Sequence, residues 1–366
     1  MTEANIIFEV ISSKEKERWN ERVRSFSHWD IYYLNEYAHS FEIHGDGEAS
    51  LIYFEQIEEN TDKAGCRLCL VVMKKDISED KKFAGILPEG VWYDLETPYG
   101  YGGFLMEGEL DAEARTSFEN KMEKYARRNK IVSLFARFYP VYRNDVPHEK
   151  LRNSQVRYLK DTIYMDTTVE EDIMVHMDSK NRNMVRKAIK NGVTICHDKG
   201  EHLDEFIKIY EATMDHDHAT DYYYFKREYY EYLIEAMKDN IEFFYSVYEG
   251  KIIGASIFFY NDEYMHYHLS GMYAEYRSLA ATNLLLYEAA RWACEKGIRL
   301  LHLGGGVEAE DSLFGFKKQF NKEGRLPFYV GRTIYDEEAY QELLKMRKQA
   351  DDSFNMENGF MIQYRR

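Results

Sequence analysis

Several groups of side chains in this sequence have the types and spacing for chemistry. Lys180, Arg182, Arg186, Lys187 and Lys190 form the densest basic run. Arg182 and Arg186 lie four apart, so a helix places them on one face. Two guanidiniums on one face suit a diphosphate, which arginine grips bidentately; a solubilising face is the plainer reading. The run TPYGYGG sets Tyr99 and Tyr101 among glycines. There the backbone can approach a ligand closely, and the stretch reads as a wall for an acceptor or as a tight turn. His266 and His268 share one side of a strand, and His216 and His218 are flanked by Asp215 and Asp217. No third element carries a clear ligand spacing, so no metal site is expected. His268 or Ser270 fits a proton relay at a strand end, and His268 fits equally a satisfied structural histidine. Residues 301–320, LHLGGGVEAEDSLFGFKKQF, pass from an alternating strand through three glycines and an acidic turn to an aromatic and basic run. Gly304, Gly305 and Gly306 must serve a place that needs bare backbone, because glycine loses most entropy on ordering. Asp311 or Ser312 is the natural cap of the helix that follows, which carries Lys317 and Lys318. On that helix Phe316 and Phe320 share a face and read more as packing than as a stacking platform.

The whole chain sets limits on these readings. With 366 residues it is long for one core, and two domains are expected. A formal net charge of −16 argues against a broad nucleic-acid footprint and against DNA as a partner, while leaving room for a local basic groove. Four cysteines are too few for a disulfide scaffold and fit a reducing compartment. Cys66 and Cys69 are three apart on a predicted strand, so they face opposite sides and make a poor metal knuckle. The first residues lack a basic start and an apolar core typical of a signal peptide, and no stretch is long enough to span a bilayer. A cytoplasmic location is expected. Nucleophile elbow, P-loop and dinucleotide fingerprint are all missing.

The elements that must position these residues follow an α+β order. Strands are predicted at 6–11, 50–57, 66–73 and 131–140, with helices opening at Ser12–Ser13, around 30–41 and over 109–129. After Pro147 a strand at KDTIYMDT leads into two short helices stopped by Gly192, a strand at VTICHD and two further helices. Residues 241–271 read as three strands, with turns at Glu249–Gly250 and Asn261–Asp262. TNLLLYEAARWACEKG is a helix with Leu284, Leu285, Ala289, Trp292 and Ala293 on one stripe. The strand IRLLHLGGG, a last strand at LPFYVGRTIYD and a helix at EEAYQELLKMRKQ follow, and the final fifteen residues read as partly loose.

From Glu242 to Gly306, the order meander, loop, helix, strand resembles the GNAT N-acyltransferase core. The loop that would wrap the acyl-CoA pyrophosphate in that fold is here EYRSLAATN. It keeps Arg277 and, with Asn283, supplies candidate donor-binding residues, but Ala280, Ala281 and Thr282 replace the glycines. Six further stretches resemble the Fem-type, FemAB-like or BioF2-like transferases, which attach amino acids to peptidoglycan precursors: DSKNRNMVRKAIKNGV, YYYF at 222–225, HYHLSG, ATNLLLYEA, LHLGGG and DSLFGFKKQF. TPYGYGG fits as well. The ordered set covers most of the chain.

This resemblance implies two tandem GNAT-like (acyl-CoA N-acyltransferase-like) domains with mixed sheets and a cleft between them, over residues 1–155 and 156–335, and a helix and tail at 336–366 returning to the first. It implies aminolysis of an activated acyl or aminoacyl donor, with acyl-CoA or aminoacyl-tRNA as donor substrate and no certain cofactor. The acceptor is a small amine or a nucleotide-linked peptide, whose diphosphate Lys180, Arg182 and Arg186 would hold, with a charged tRNA among the implied partners. No long helical hairpin occupies residues 201–240, which argues against a tRNA-binding arm. Lys317 takes the place of a lysine near the acyl-donor site. Its charge fits stabilisation of an oxyanion or a grip on the donor; a solvated helix lysine is the alternative. The three glycines become a bare floor beside the transferred acyl group, with Tyr224 and Phe316 among the substrate contacts. Two other readings stay open: an acyl-CoA-dependent N-acetyltransferase, and a binding protein of the same fold without turnover.

Overall fold

The computed structural model describes residues 6–57 and 64–366. Its contacts divide the chain into two compact units. One comprises residues up to Leu159 together with Phe328–Arg366; the other is the continuous stretch Lys160–Pro327. Residues 328–335, which the sequence pattern groups with the second half, thus belong to the first unit. The reason is pairing: Val330–Ile334 hydrogen-bond antiparallel to Ser133–Arg137.

In chain order the elements are β1 (Ile6–Ser12), α1 (Lys16–Arg24), α2 (Asn35–His44), β2 (Glu48–Ile57), β3 (Ala64–Asp76), β4 (Tyr93–Glu96), β5 (Leu105–Gly108), α3 (Ala112–Arg128), β6 (Ile131–Arg137), α4 (Asp145–Glu149) and β7 (Ser154–Asp166). Then come α5 (Glu170–His176), α6 (Ser179–Lys190), β8 (Thr194–Asp198), α7 (Leu203–His216), α8 (Arg227–Ala236), β9 (Ile241–Tyr248), β10 (Lys251–Tyr260) and β11 (Tyr264–Met272). The chain closes with α9 (Ala281–Glu295), β12 (Leu300–Gly304), α10 (Ser312–Lys318), β13 (Arg325–Ile334) and α11 (Glu337–Ala350).

The first unit orders its sheet β1-β2-β3-β4-β6-β13, with β5 also on β3. All pairs are antiparallel except β4 with β6. Cys66, Leu68, Leu70 and Val72 of β3 join Phe118 and Met122 of α3 in one core cluster, while Cys69 is buried on the other side. Both thiols are free, and burial pushes them up, Cys66 to about 11. A strand buried on both faces is why this stretch reads as a nearly unbroken apolar run. On α11, Tyr340, Leu343 and Leu344 pack with Phe83, Val132 and Tyr364.

The tail after α11 is packed rather than loose. Tyr364 is fully buried and donates to Asp94, and Arg365 pairs with Asp94 at 2.9 Å and Glu96 at 2.7 Å. α1 also begins without the expected serine cap: Glu15 holds the N-cap position, and no side chain caps the helix.

The second unit orders its sheet β7-β12-β11-β10-β9-β8. β8, β9, β10 and β11 are an antiparallel meander, β11 and β12 are parallel, and β12 is antiparallel to β7. The Glu249–Gly250 turn has φ of 49° and 74°, which matches the twist of a two-residue hairpin. One sheet face is covered by α9, whose Leu285, Leu286, Ala289, Ala290 and Ala293 pack on Met265, Phe258 and Leu301. The other face carries α7 and α8, with Phe206 edge-on to Phe243 at 5.4 Å. The expected second helix from 222 is shorter than its sequence pattern: a single 3-10 turn at Asp221–Tyr223 precedes α8.

Candidate functional site

The parallel pair β11 and β12 is short. It joins Tyr264, Met265 and His266 to Leu300, Leu301 and His302, while β11 runs on to Met272 and β12 ends at Gly304. Past His266 the two strands therefore leave the ladder, and the residues there are released from sheet pairing between them. A bulge adds to this. Ile257 stands opposite Leu269 but Phe258 stands opposite Tyr267, so His268 is the extra residue on β11. A bulge of this kind re-aims the side chains around it. Tyr267 and Ser270, which simple alternation would separate, come to one side and hydrogen-bond there with Ser256. Ser270 Oγ lies 2.9 Å from Ser256 Oγ.

His268 goes to the opposite face. Its Nε2 lies 3.0 Å from Tyr229 Oη, and its ring packs on Phe259. Burial, reinforced by His266, pushes it down to about 3, so it is neutral at ordinary pH. His268 and Ser270 thus do not form one relay. Next to it on the same face, His266 lies 6.0 Å from His302 ring to ring, and His302 Nε2 meets Thr162 Oγ1 at 2.9 Å. Burial likewise holds His302 well below the usual histidine range. These are packed histidines, and no group of three metal-ligating side chains occurs among the described residues.

On the Tyr267 side the glycine run and Lys317 come together. Asp311 caps α10, accepting from the N–H of Phe314 at 2.7 Å, Val307 at 2.7 Å and Glu308 at 2.9 Å. One carboxylate therefore fixes both the helix start and the loop that leads to it. The short α10 then carries Lys317 inward. Lys317 is 8% exposed, and its Nζ donates to Gly305 O at 2.8 Å and lies 5.7 Å from the centre of the Tyr267 ring. Burial pushes its ammonium down to about 7; Lys160 acts in the same direction and Asp311 against it. A lysine in this state exchanges a proton near neutral pH. The neighbouring Tyr267 phenol is raised by burial and stays a neutral donor.

The glycines are required by close approach. A Cβ on Gly305 would sit 2.9 Å from Asp161 O, and one on Gly306 would sit 2.0 Å from Asp311 Oδ1. Lys160 and Tyr267, neither of which stands out in the sequence, complete the group. Lys160 Nζ donates to the carbonyls of Gly306 and, at 2.8 Å, Val307. Phe316 lies beside this group but packs with Phe320 at 5.3 Å in the core.

The other predicted residues lie apart from this cluster. Arg182 Nη1 donates to Met177 O at 2.5 Å, tying α6 to the end of α5, whereas Lys180, Arg186, Lys187 and Lys190 are exposed. Asn283 Nδ2 bonds Asn181 Oδ1 at 2.7 Å, joining α9 to α6. Arg277 is exposed beside His216 and Asp217. Tyr224 donates to Asp215 at 2.7 Å. Tyr99 and Tyr101 lie in the first unit. Tyr99 O accepts from Tyr37, and Tyr101 contacts the rings of Tyr32, Tyr139 and Phe328. The close approach allowed by Gly100 is taken up by Tyr32, 2.9 Å from where its Cβ would lie. His216 and His218 stand at the exposed end of α7, and His216 pairs with Asp217.

Residues 179–318 match the family model of the acetyltransferase (GNAT) domain. Over the whole chain the fold is shared with solved structures of low sequence identity. FemX is 14% identical, with 92% of this chain and 99% of that one covered at a TM-score of 0.66. The C-terminal domain assigned to a lysylphosphatidylglycerol synthetase of Agrobacterium fabrum is 12% identical, with coverages of 90% and 94% and a TM-score of 0.54. A tandem GNAT protein from the clavulanic acid biosynthesis pathway is 10% identical, with coverages of 90% and 99% and a TM-score of 0.52. A comparison with curated protein sequences gave no match. The fold is thus that of tandem GNAT proteins, and the second unit carries an acyltransferase domain. Over nearly its whole length the fold is similar to that of FemX. No helix among the described residues is long and apolar enough to cross a membrane.

Proposed function

We propose that this protein is a Fem-like acyltransferase that forms an amide by aminolysis of an activated acyl or aminoacyl ester, with a peptidoglycan precursor as the acceptor class. The observation that carries this reading is Lys317, buried beside bare glycine backbone with a proton affinity near neutrality. In such a reaction the acceptor amine attacks the ester carbonyl, a C–N bond forms and the C–O bond to the donor breaks. The amine sheds a proton, and the carbonyl oxygen passes through an oxyanion. Neutral Lys317 takes the proton; as an ammonium, with the Tyr267 and Ser270 hydroxyls, it offers donors to the oxyanion.

An acyl-CoA-dependent N-acetyltransferase is the second reading, since acyl-CoA is the common donor of the GNAT fold. Ala280 and Ala281 weigh against it. Their methyls are buried with Val185, Ala188 and Leu284, and Ala280 holds φ of 58°, so apolar packing fills the space beside the helix start that a glycine loop leaves open. The test pairs two measurements. Millimolar acetyl-CoA is expected to leave the melting temperature unchanged, because only a specific ligand raises it by mass action. An aminoacyl-tRNA with a UDP-linked peptide acceptor is expected to give an amide product by mass spectrometry. A clear shift with acetyl-CoA and no product from the ester would overturn the proposal; neither signal would favour a binding protein without turnover.

A further inference from the structure

Two lysines, not one, close on the glycine loop. Gly305 O accepts from Lys317, and the next two carbonyls, of Gly306 and Val307, accept from Lys160. The amide side of the same loop is held by Asp311, through the N–H groups of Val307 and Glu308. The Cβ distances at Gly305 and Gly306 show how tightly the loop is pressed between Asp161, the neighbour of Lys160 on β7, and Asp311. Three successive carbonyls thus turn toward two ammonium groups, and no peptide unit between them is left to choose its orientation.

Resting on the transfer reaction proposed above, we propose that Lys160 is a positioning residue of the acyl-transfer site: by clamping the carbonyls of Gly306 and Val307 it fixes the loop on which Lys317 is seated and places a second positive charge beside it. The groups that face Lys317 are few. Lys160 comes from β7, Asp311 from the start of α10 and Tyr267 from β11, and His302 of β12 lies within reach of the Lys317 charge. Asp311 favours the charged form of Lys317, and Lys160, with burial, opposes it. His302 is neutral and Tyr267 un-ionised, so the charge balance at Lys317 is set by Asp311 and Lys160. A clamp that also repels charge explains why a lysine occupies position 160. An uncharged donor could hold the carbonyls but would leave the Lys317 ammonium better stabilised.

The test is a lysine titration that needs no substrate. The full chain is labelled with carbon-13 at lysine Cε, and the Lys317 signal is identified by its loss in Lys317→Ala. In the wild type it is expected to titrate near pH 7. In Lys160→Met the midpoint should rise by about 1 pH unit, and in Lys160→Arg it should stay low. Lys160→Gln carries the same comparison where Lys160→Met does not fold. A midpoint unchanged in the neutral variants overturns the role of Lys160 whatever the transfer assay gives. A raised midpoint with no transfer by the wild type would reject the proposed reaction and leave the placement of Lys160 standing.

Discussion

At the scale of single residues, the decisive contrast is between two buried bases. His268 and Lys317 both lose proton affinity through burial, but His268 falls to about 3 and Lys317 to about 7. Only Lys317 can change charge in the working pH range. Lys317→Met is therefore expected to keep the fold and the melting temperature, since the methionine chain fills a similar volume without the cost of a buried ammonium. It should lower transfer by about 10²–10⁴-fold, measured as initial rate of amide formation. Ser270→Ala should cost far less. Asp311→Ala removes the acceptor for three N–H groups, and a loss of about 1–2 kcal/mol in urea unfolding is expected. Lys317, the glycine run and the Asp311 cap were legible in the sequence, because each is local. Lys160 was not: it lies far from the loop in sequence, and nothing in KDTIYMDT marks it. The pairing of Tyr267 with Ser270 was hidden by the bulge, since alternation alone assigns them to opposite faces.

At the scale of elements, the site depends on where strands stop pairing. β11 and β12 run together for three residue pairs, and the catalytic candidates lie beyond them. α9 holds that geometry by burying Leu285, Leu286 and Ala289 on the same sheet face. Leu285→Ala is expected to destabilise by about 2–5 kcal/mol, read from the urea midpoint. The stripe on α9, the meander and its turns were readable from period and turn chemistry. The basic stripe on α6 was readable as well, but not its fate. Arg182 is spent on the carbonyl of Met177, which no sequence period distinguishes from binding a ligand. The C-terminal residues 351–366 lack any period, so their anchoring through Tyr364 and Arg365 was invisible until Asp94 and Glu96 were placed beside them.

For the whole molecule, two effects of acid oppose each other. The formal charge of −16 shrinks as pH falls toward the isoelectric point near 5.3, which eases self-repulsion. His148 works the other way. It is fully buried against Phe104 and Phe138, and burial pushes it down to about 4. Its folded pKa lies below the unfolded value near 6.5, so the unfolded chain binds the extra proton between them. Stability is then full above pH 6.5 and falls as pH drops toward 4, by about 1.4 kcal/mol between pH 7.5 and 5.5. His268 and His302, also lowered by burial, lose stability over the same window. Urea midpoints at those two pH values should therefore differ by more than the His148 share, and His148→Phe should shrink the difference by about 1.4 kcal/mol. Glu96, held at about 2 by Arg365, Arg137 and Lys75, adds stability above pH 4.5 that is lost further into acid.

The division of the chain also bears on how it is made. The second unit is one continuous stretch, Lys160–Pro327, whereas the first needs β13, α11 and the tail from Phe328 onward to complete its sheet and core. A ribosome delivers residues in order, so the half that starts first must wait for residues made after the whole second unit. During that interval β6 has no antiparallel neighbour from β13, and Val132 has no α11 above it. Unpaired strand and apolar surface of this kind are what chaperones bind. Chains truncated after residue 327 and released from the ribosome should therefore show a protease-resistant second unit and a cleavable first one.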